Sequence, residues 1–129
     1  MKGATVFLLI TVFPLLSAGE TAPSTTLTGW FIDEWCAPAR LKAKTLGPVN
    51  RECAQRCIAE GAKVVFLDQT SRRILPVANA QPTRGQESHY VRVVGSLDSS
   101  RGLHVKAVEV LEEYRASCAL PREDSEGRQ

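Results

Sequence analysis

The stretch HYVRVVGSLDSSRGLHVKAVEVL, residues 89–111, decides the fold, because it contains two apolar, alternating segments joined by a turn. The alternation in 89–97 and in 103–111 has the period of half-buried strands. The residues between them, DSSRG at 98–102, are typical of a turn. The pattern predicts a closing β-hairpin made of the fourth and fifth strands of the domain.

Three shorter strands are predicted before this hairpin, over residues 27–35, 63–68 and 73–77, because each is rich in aliphatic and aromatic residues. Pro76 confines the third strand to an edge or an ending. Closure of such a sheet removes its exposed edges. We therefore expect a mainly β domain: a small five-stranded antiparallel OB-like barrel with one short helix between strands 1 and 2.

The helix is predicted to begin at Asn50, which suits an N-cap, and to stop at Gly61. Glu52 in the first turn complements the helix dipole. The apolar positions form one stripe at helical spacing: Cys53, Ala54, Cys57 and Ile58. Residues 37–49, which contain two prolines and a glycine, are predicted to form a loop.

The N-terminus has the pattern of an export signal. Lys2 precedes an apolar run over residues 4–16, and small residues follow at 17–19. The run is shorter than the roughly 20 residues of a membrane span, although an uncleaved anchor is the alternative. We expect a signal peptide at 1–19, a disordered leader at 20–26, a domain at 27–118 and a disordered tail at 119–129. The expected location is periplasmic or secreted.

Composition excludes several functional classes. The net charge of +2 falls to about +1 when Lys2 is removed, and such a surface has no electrostatic footprint for nucleic acid. No nucleophile motif is present. Asp33 and Glu34 are adjacent, so they point to opposite faces of a strand and cannot form a catalytic carboxylate pair. We expect that the protein is not an enzyme, that it uses no cofactor and binds no nucleic acid, and that it has no stable membrane span after processing. The expected partner is an unidentified protein or small ligand.

Four cysteines lie in the mature chain: Cys36, Cys53, Cys57 and Cys118. An even number in an exported protein predicts two disulfides. Cys53 and Cys57 are four apart on the predicted helix, so their sulfurs are poorly aimed at each other. Their partners are then expected to be Cys36 and Cys118, and the pairing itself is left open.

The same thiols allow two other interpretations. Cys36, Cys53 and Cys57 provide two helical thiolates and one from a loop, which would suit Zn²⁺ or Cu⁺. A redox role would use a reactive thiolate of Cys53 or Cys57, and its place in the first helical turn favours Cys53. The spacing of the two cysteines differs from that of thioredoxin-like dithiols. A further hypothesis is that His89 and His104 approach each other across the closing hairpin and form a weak metal or proton site. The simpler interpretation is two ordinary surface histidines.

The aromatic residues are expected to fill the core, because a small domain needs large apolar side chains. They are Trp30, Phe31, Trp35, Phe66 and Tyr90. Trp35 is expected to pack on a disulfide beside Cys36. The alternative is an aromatic surface that stacks bases or sugars.

The spacing Gly29-x-x-x-Asp33-x-x-Cys36, followed by Cys53-Ala54-x-x-Cys57-Ile58-x-x-Gly61 and a Val-Val-Phe-Leu strand, resembles small exported bacterial OB-fold proteins of unassigned function. The resemblance covers about residues 27–111 and implies a fold and a compartment, without a reaction. Relatives often place a histidine where this chain has Asn50. The sequence thus predicts a non-enzymatic exported binding or structural module of the bacterial envelope, stabilised by disulfides. The alternative is a thiol-based metal-binding or redox protein.

Overall fold

One five-stranded antiparallel sheet forms the body of the protein in the computed structural model, which describes residues 22–116. In chain order the elements are β1 (Ser24–Asp33), α1 (Ala37–Leu41), α2 (Arg51–Ala59), β2 (Val64–Asp68), β3 (Arg73–Pro76), a 3-10 turn (Gln81–Thr83), β4 (Tyr90–Leu97) and β5 (Leu103–Glu112). The prediction of a mainly β chain with five antiparallel strands and a short helix between strands 1 and 2 is confirmed.

The strand order is β3-β2-β1-β4-β5, so β1 is central and β3 and β5 are the two edges. The edges meet at one parallel bridge between Val77 and Leu103, where Ala78 N donates to Leu103 O at 2.9 Å. A continuous β3–β5 ladder is not formed within residues 22–116. The closed barrel therefore stays a prediction, while Pro76 does lie in an edge strand, as its missing N–H requires.

Asn79 extends the contact between the two edges. Its side-chain amide donates to Val105 O and accepts from Val105 N, and both distances are 2.7 Å. Val105 is buried, so this pair of hydrogen bonds satisfies backbone groups that β4 does not reach. One side chain thus holds β5 to the segment after β3.

The alternation along β1 separates two apolar clusters. Trp30 and Ile32 face the helices, whereas Phe31 faces Phe66 on the other side of the sheet, with ring centroids 5.2 Å apart. Ala37 of α1 and Ala54 of α2 are fully buried against the first cluster. Both helices therefore pack over the end of β1, and this packing positions the site described below.

Gly29 is required by the close approach of β1 and β2. A Cβ atom at this position would lie 1.9 Å from the carbonyl oxygen of Leu67, which no side chain can tolerate. The sequence expectation of a bend or bulge at Gly29 was based on the same lack of a side chain.

Two local predictions were wrong. Residues 37–41 form α1 and not a loop, because Pro38 lies in the first helical turn, where no N–H is needed. Residues 24–26, predicted to be disordered, belong to β1 and pair with β4, with Ser24 opposite Ser96.

The predicted signal peptide at 1–19, Cys118 and the predicted tail at 119–129 lie outside the described residues. Among the helices of residues 22–116, none has the length and apolar character needed to cross a bilayer.

Candidate thiol and carboxylate site

Three potential metal ligands from separate elements meet beside the helices. They are the carboxylate of Asp33 and the thiols of Cys36 and Cys57, whose ligand atoms all lie within 4.8 Å of one another. Asp33 is the last residue of β1, Cys36 precedes α1, and Cys57 lies within α2. Because both helices pack on β1, Cys57 comes close to Asp33 and Cys36, which precede it by 24 and 21 positions.

The turn after β1 is held by the same carboxylate. Asp33 Oδ2 accepts a hydrogen bond from Cys36 N at 2.9 Å. This bond closes the turn and holds Cys36 near the Asp33 carboxylate. Asp33 is fully buried, and its Oδ1 has no hydrogen-bond partner among the described residues. Buried polar atoms are rarely left unpaired. Oδ1 is therefore an unused acceptor of a carboxylate that lies beside two sulfurs.

Both thiols are held in the neutral form at neutral pH. Partial burial, reinforced by the Asp33 carboxylate, raises the pKa of Cys36 from 9.0 to about 11. Burial and the same carboxylate also raise the pKa of Cys57. Because the thiolate is the nucleophile, the two cysteines lack the lowered pKa of a redox-active thiol.

The donor set fits a borderline divalent cation. Zinc binds thiolates at about 2.3 Å, so two sulfurs on a tetrahedral ion lie about 3.8 Å apart. The separations in the cluster, up to 4.8 Å, need only small side-chain movements to reach that spacing. Three protein ligands leave the fourth position for water or another ligand.

Cys53 is not part of this cluster. It is exposed on the first turn of α2, where its N–H donates to Oδ1 of Asn50 at 3.0 Å. This bond confirms Asn50 as the N-cap of the helix. The predicted metal set of Cys36, Cys53 and Cys57 is therefore brought together only in part, since Asp33 stands in place of Cys53.

No disulfide is formed within residues 22–116, where Cys36, Cys53 and Cys57 are all free thiols. Cys36 and Cys57 are nevertheless neighbours, and Cys118 lies outside the described residues. The two predicted disulfides therefore stay a prediction.

The sequence did not predict Asp33 as a ligand: the residue was part of the motif that resembles exported OB-fold proteins, and its chemistry was considered only as half of a carboxylate pair with Glu34. Glu34 instead accepts from Lys63 N at 3.0 Å and so links β1 to β2. The signal that marks Asp33 is its spacing of three from Cys36, which lets one turn bring both side chains to the same place.

The two histidines do not meet. His104 pairs with Ser96 and lies 3.3 Å from Asp98, at the turn of the hairpin. His89 precedes β4 at the opposite end, where its Nδ1 accepts from Tyr114 N at 2.8 Å. The hypothesis of a shared histidine site is wrong, because the register places the residues at opposite ends of the ladder.

The aromatic residues largely fill the core, as predicted. Trp30, Phe31 and Phe66 are buried, and Tyr90 packs against Trp30 with ring centroids 5.2 Å apart. Trp35 is the exception, because 55% of its surface is exposed. Trp35 therefore does not fill the core, and the expectation that it packs on a disulfide stays a prediction.

Comparison of the chain with protein-family models, curated proteins and solved structures finds no match. The resemblance to exported OB-fold proteins therefore stays a prediction.

Proposed function

We propose that this protein is a non-enzymatic exported module that binds Zn²⁺ through Asp33, Cys36 and Cys57. The observation that carries the proposal is that one oxygen of the fully buried Asp33 carboxylate and two thiol sulfurs lie within 4.8 Å of one another, while Oδ1 of the same carboxylate makes no hydrogen bond among the described residues. A bound cation would satisfy this oxygen and offset the cost of burying the charge.

The mixed donor set favours zinc over copper. Cu⁺ prefers soft sulfur ligands, whereas a carboxylate oxygen beside two thiolates suits Zn²⁺, which accepts both kinds of donor. The ligands lie on β1, at the start of α1 and on α2, so the ion would also fasten both helices to the sheet. Zinc binding and folding would then be coupled.

Binding is favoured over catalysis by the position of the cluster. A groove of about 370 Å³ is lined by Trp30, Tyr90, Tyr114 and their neighbours, and none of the three cluster residues lines it. A hydrolytic zinc ion needs an open coordination position that faces a substrate cavity. The position of the thiol cluster therefore supports a role in binding zinc and not in catalysis by zinc.

A second candidate is a disulfide-stabilised binding module of the envelope. It is favoured by the proximity of the Cys36 and Cys57 sulfurs, which belong to the same cluster. Joining them forms one S–S bond and releases two protons and two electrons, which an envelope thiol oxidant would accept. A Cys36–Cys57 disulfide would remove both thiolates from the zinc site, so the two candidates exclude each other in one molecule.

Cobalt titration of the full chain tests the zinc proposal. We expect the reduced, metal-free protein to develop a thiolate-to-cobalt charge-transfer band with Co²⁺, and equimolar Zn²⁺ to abolish it. Cys57→Ser should weaken binding at least tenfold, because loss of a direct ligand should cost no less than the roughly 10–100-fold that loss of a ligand's hydrogen-bond partner costs. Cys53→Ser is the matched control, because Cys53 lies on the same helix but outside the cluster, and it should bind as the unmodified protein does.

Equal affinity in the Cys57→Ser and Cys53→Ser variants would overturn the proposed site. Protein recovered from the envelope fraction distinguishes the second candidate. A mass lower by two hydrogens, with a linked Cys36–Cys57 peptide in place of bound zinc, would replace zinc binding by the disulfide. Zinc recovered at one ion per chain would support the proposal.

A further inference from the structure

An open groove of about 370 Å³ lies apart from the thiol cluster, beside the C-terminal end of β5. Three aromatic residues line it: Trp30 of β1, Tyr90 of β4 and Tyr114, which follows β5. Trp30 and Tyr90 already pack on each other at a tilt of 42°. The groove is therefore a preformed concave surface with aromatic walls, as small-ligand sites commonly are.

A buried hydroxyl in this groove has no partner. Ser88 lines the groove and is 1% exposed, and its Oγ makes no hydrogen bond within residues 22–116. Its backbone is fixed, because Ser88 N donates to Phe31 O at 2.9 Å. Since a buried polar atom without a partner is unfavourable, the Ser88 hydroxyl is an unused donor and acceptor in the wall of the groove.

The other polar groups of the groove favour a neutral ligand. Glu112 and Glu113 provide two carboxylates, Arg115 provides one guanidinium and Gln69 provides an amide. The carboxylates repel phosphates, which disfavours nucleotides even though their bases would stack on the aromatic rings. Carboxylates, an amide and a hydroxyl instead match the many hydroxyl groups of a sugar, each of which both donates and accepts hydrogen bonds.

We propose that this groove binds a neutral saccharide of one or two rings. The apolar face of a sugar ring would lie against Tyr90 and Tyr114, while its hydroxyl groups would bond to Ser88, Glu113 and Arg115. The volume of about 370 Å³ lies within the range of small-molecule sites. The proposal is independent of zinc, because no residue of the thiol cluster lines the groove.

Tryptophan fluorescence tests the proposal, because the chain has two tryptophans and only Trp30 lines the groove. In a Trp35→Phe background, Trp30 is the only reporter. We expect a saturable shift with at least one member of a panel of neutral mono- and disaccharides that includes cellobiose, maltose and diacetylchitobiose. A thymidine dinucleotide, which also stacks but is anionic, should cause none.

Variants then assign the binding to the groove. Tyr114→Ala and Glu113→Gln should each weaken saccharide binding about tenfold. The matched control is Glu109→Gln, which lies on β5 outside the groove and should leave binding unchanged. Ser88→Ala separates ligand recognition from folding, because it should weaken binding without lowering the urea midpoint.

Three outcomes would overturn the proposal: no saturable shift with any saccharide of the panel, tighter binding of the dinucleotide, or equal affinity of the Glu113→Gln and Glu109→Gln variants. Saturable binding that only the groove variants weaken would establish it.

Discussion

Replacing Asp33 by Asn should change stability in opposite directions with and without zinc. The substitution keeps the shape of the side chain and an oxygen that can accept from Cys36 N, but it removes a fully buried negative charge. A ligand and a merely structural residue respond differently to this change, so the sign of the effect is informative.

Without metal, the variant should be more stable than the wild type. A buried polar atom without a partner costs about 1–3 kcal/mol, and more when it is charged. The asparagine amide can instead donate to the sulfurs beside it, since the cluster atoms lie within 4.8 Å. We expect a gain of about 1 kcal/mol, which raises Tm by about 4–8 °C in a domain of this size.

With zinc, the order should reverse. Free zinc at a hundred times Kd stabilises the native state by about 2.7 kcal/mol. If loss of the carboxylate weakens binding a hundredfold, the same zinc concentration stabilises the variant by only about 0.4 kcal/mol. The wild type should then be the more stable protein by about 1 kcal/mol.

Urea denaturation in reductant, followed by far-ultraviolet circular dichroism, measures both differences. One series contains EDTA and the other contains buffered zinc. Cys53→Ser serves as the control and should respond to zinc as the wild type does. If Asp33→Asn is the less stable protein in EDTA, and zinc does not change the difference, Asp33 is only a turn-forming residue and the reasoning is refuted.

Three further predictions concern other parts of the molecule. Gly29→Ala should lower the free energy of unfolding by about 2 kcal/mol, because its Cβ would lie 1.9 Å from a carbonyl oxygen of β2; an unchanged urea midpoint would contradict the close approach. Hydrogen bonds, first from the side chain of Ser100, lower the pKa of Asp98 from 3.8. The contribution of the Asp98 carboxylate to stability is therefore complete above about pH 4 and is lost as the pH falls through the lowered pKa. The urea midpoints of Asp98→Asn and of the wild type should consequently converge in acid. Iodoacetamide at about pH 8, followed by peptide mass spectrometry, should modify exposed Cys53 well before Cys36, of which about a thousandth is thiolate at that pH; equal rates would show that Cys36 is not held neutral.

Local signals in the sequence predicted the elements well. Asn50 caps α2 because the capping bond joins residues three apart, and a single stretch of sequence contains both partners. The closing hairpin is equally local, since 89–111 contains both strands and their turn. In contrast, α1 has five residues, which is too short for a helical period to be visible.

The candidate site depended on contacts that the sequence does not display. Asp33 is fully buried at the end of β1, and Cys57 of α2 approaches it across 24 positions. The pattern of residues also could not show that Trp35 is exposed whereas its neighbour Cys36 is half-buried. Burial of polar side chains is set by tertiary packing, and a periodicity of apolar residues carries no information about it.

The two hydrogen bonds between Asn79 and Val105 lie at the weakest junction of the sheet, the seam between the edge strands β3 and β5. Everywhere else neighbouring strands share a ladder, whereas β3 and β5 are joined within the described residues by one bridge and this single amide. Separating β3 from β5 breaks few hydrogen bonds, so local opening of the domain should occur first between these two strands. Backbone amides on either side of the seam should exchange with deuterium sooner than those of the central strand.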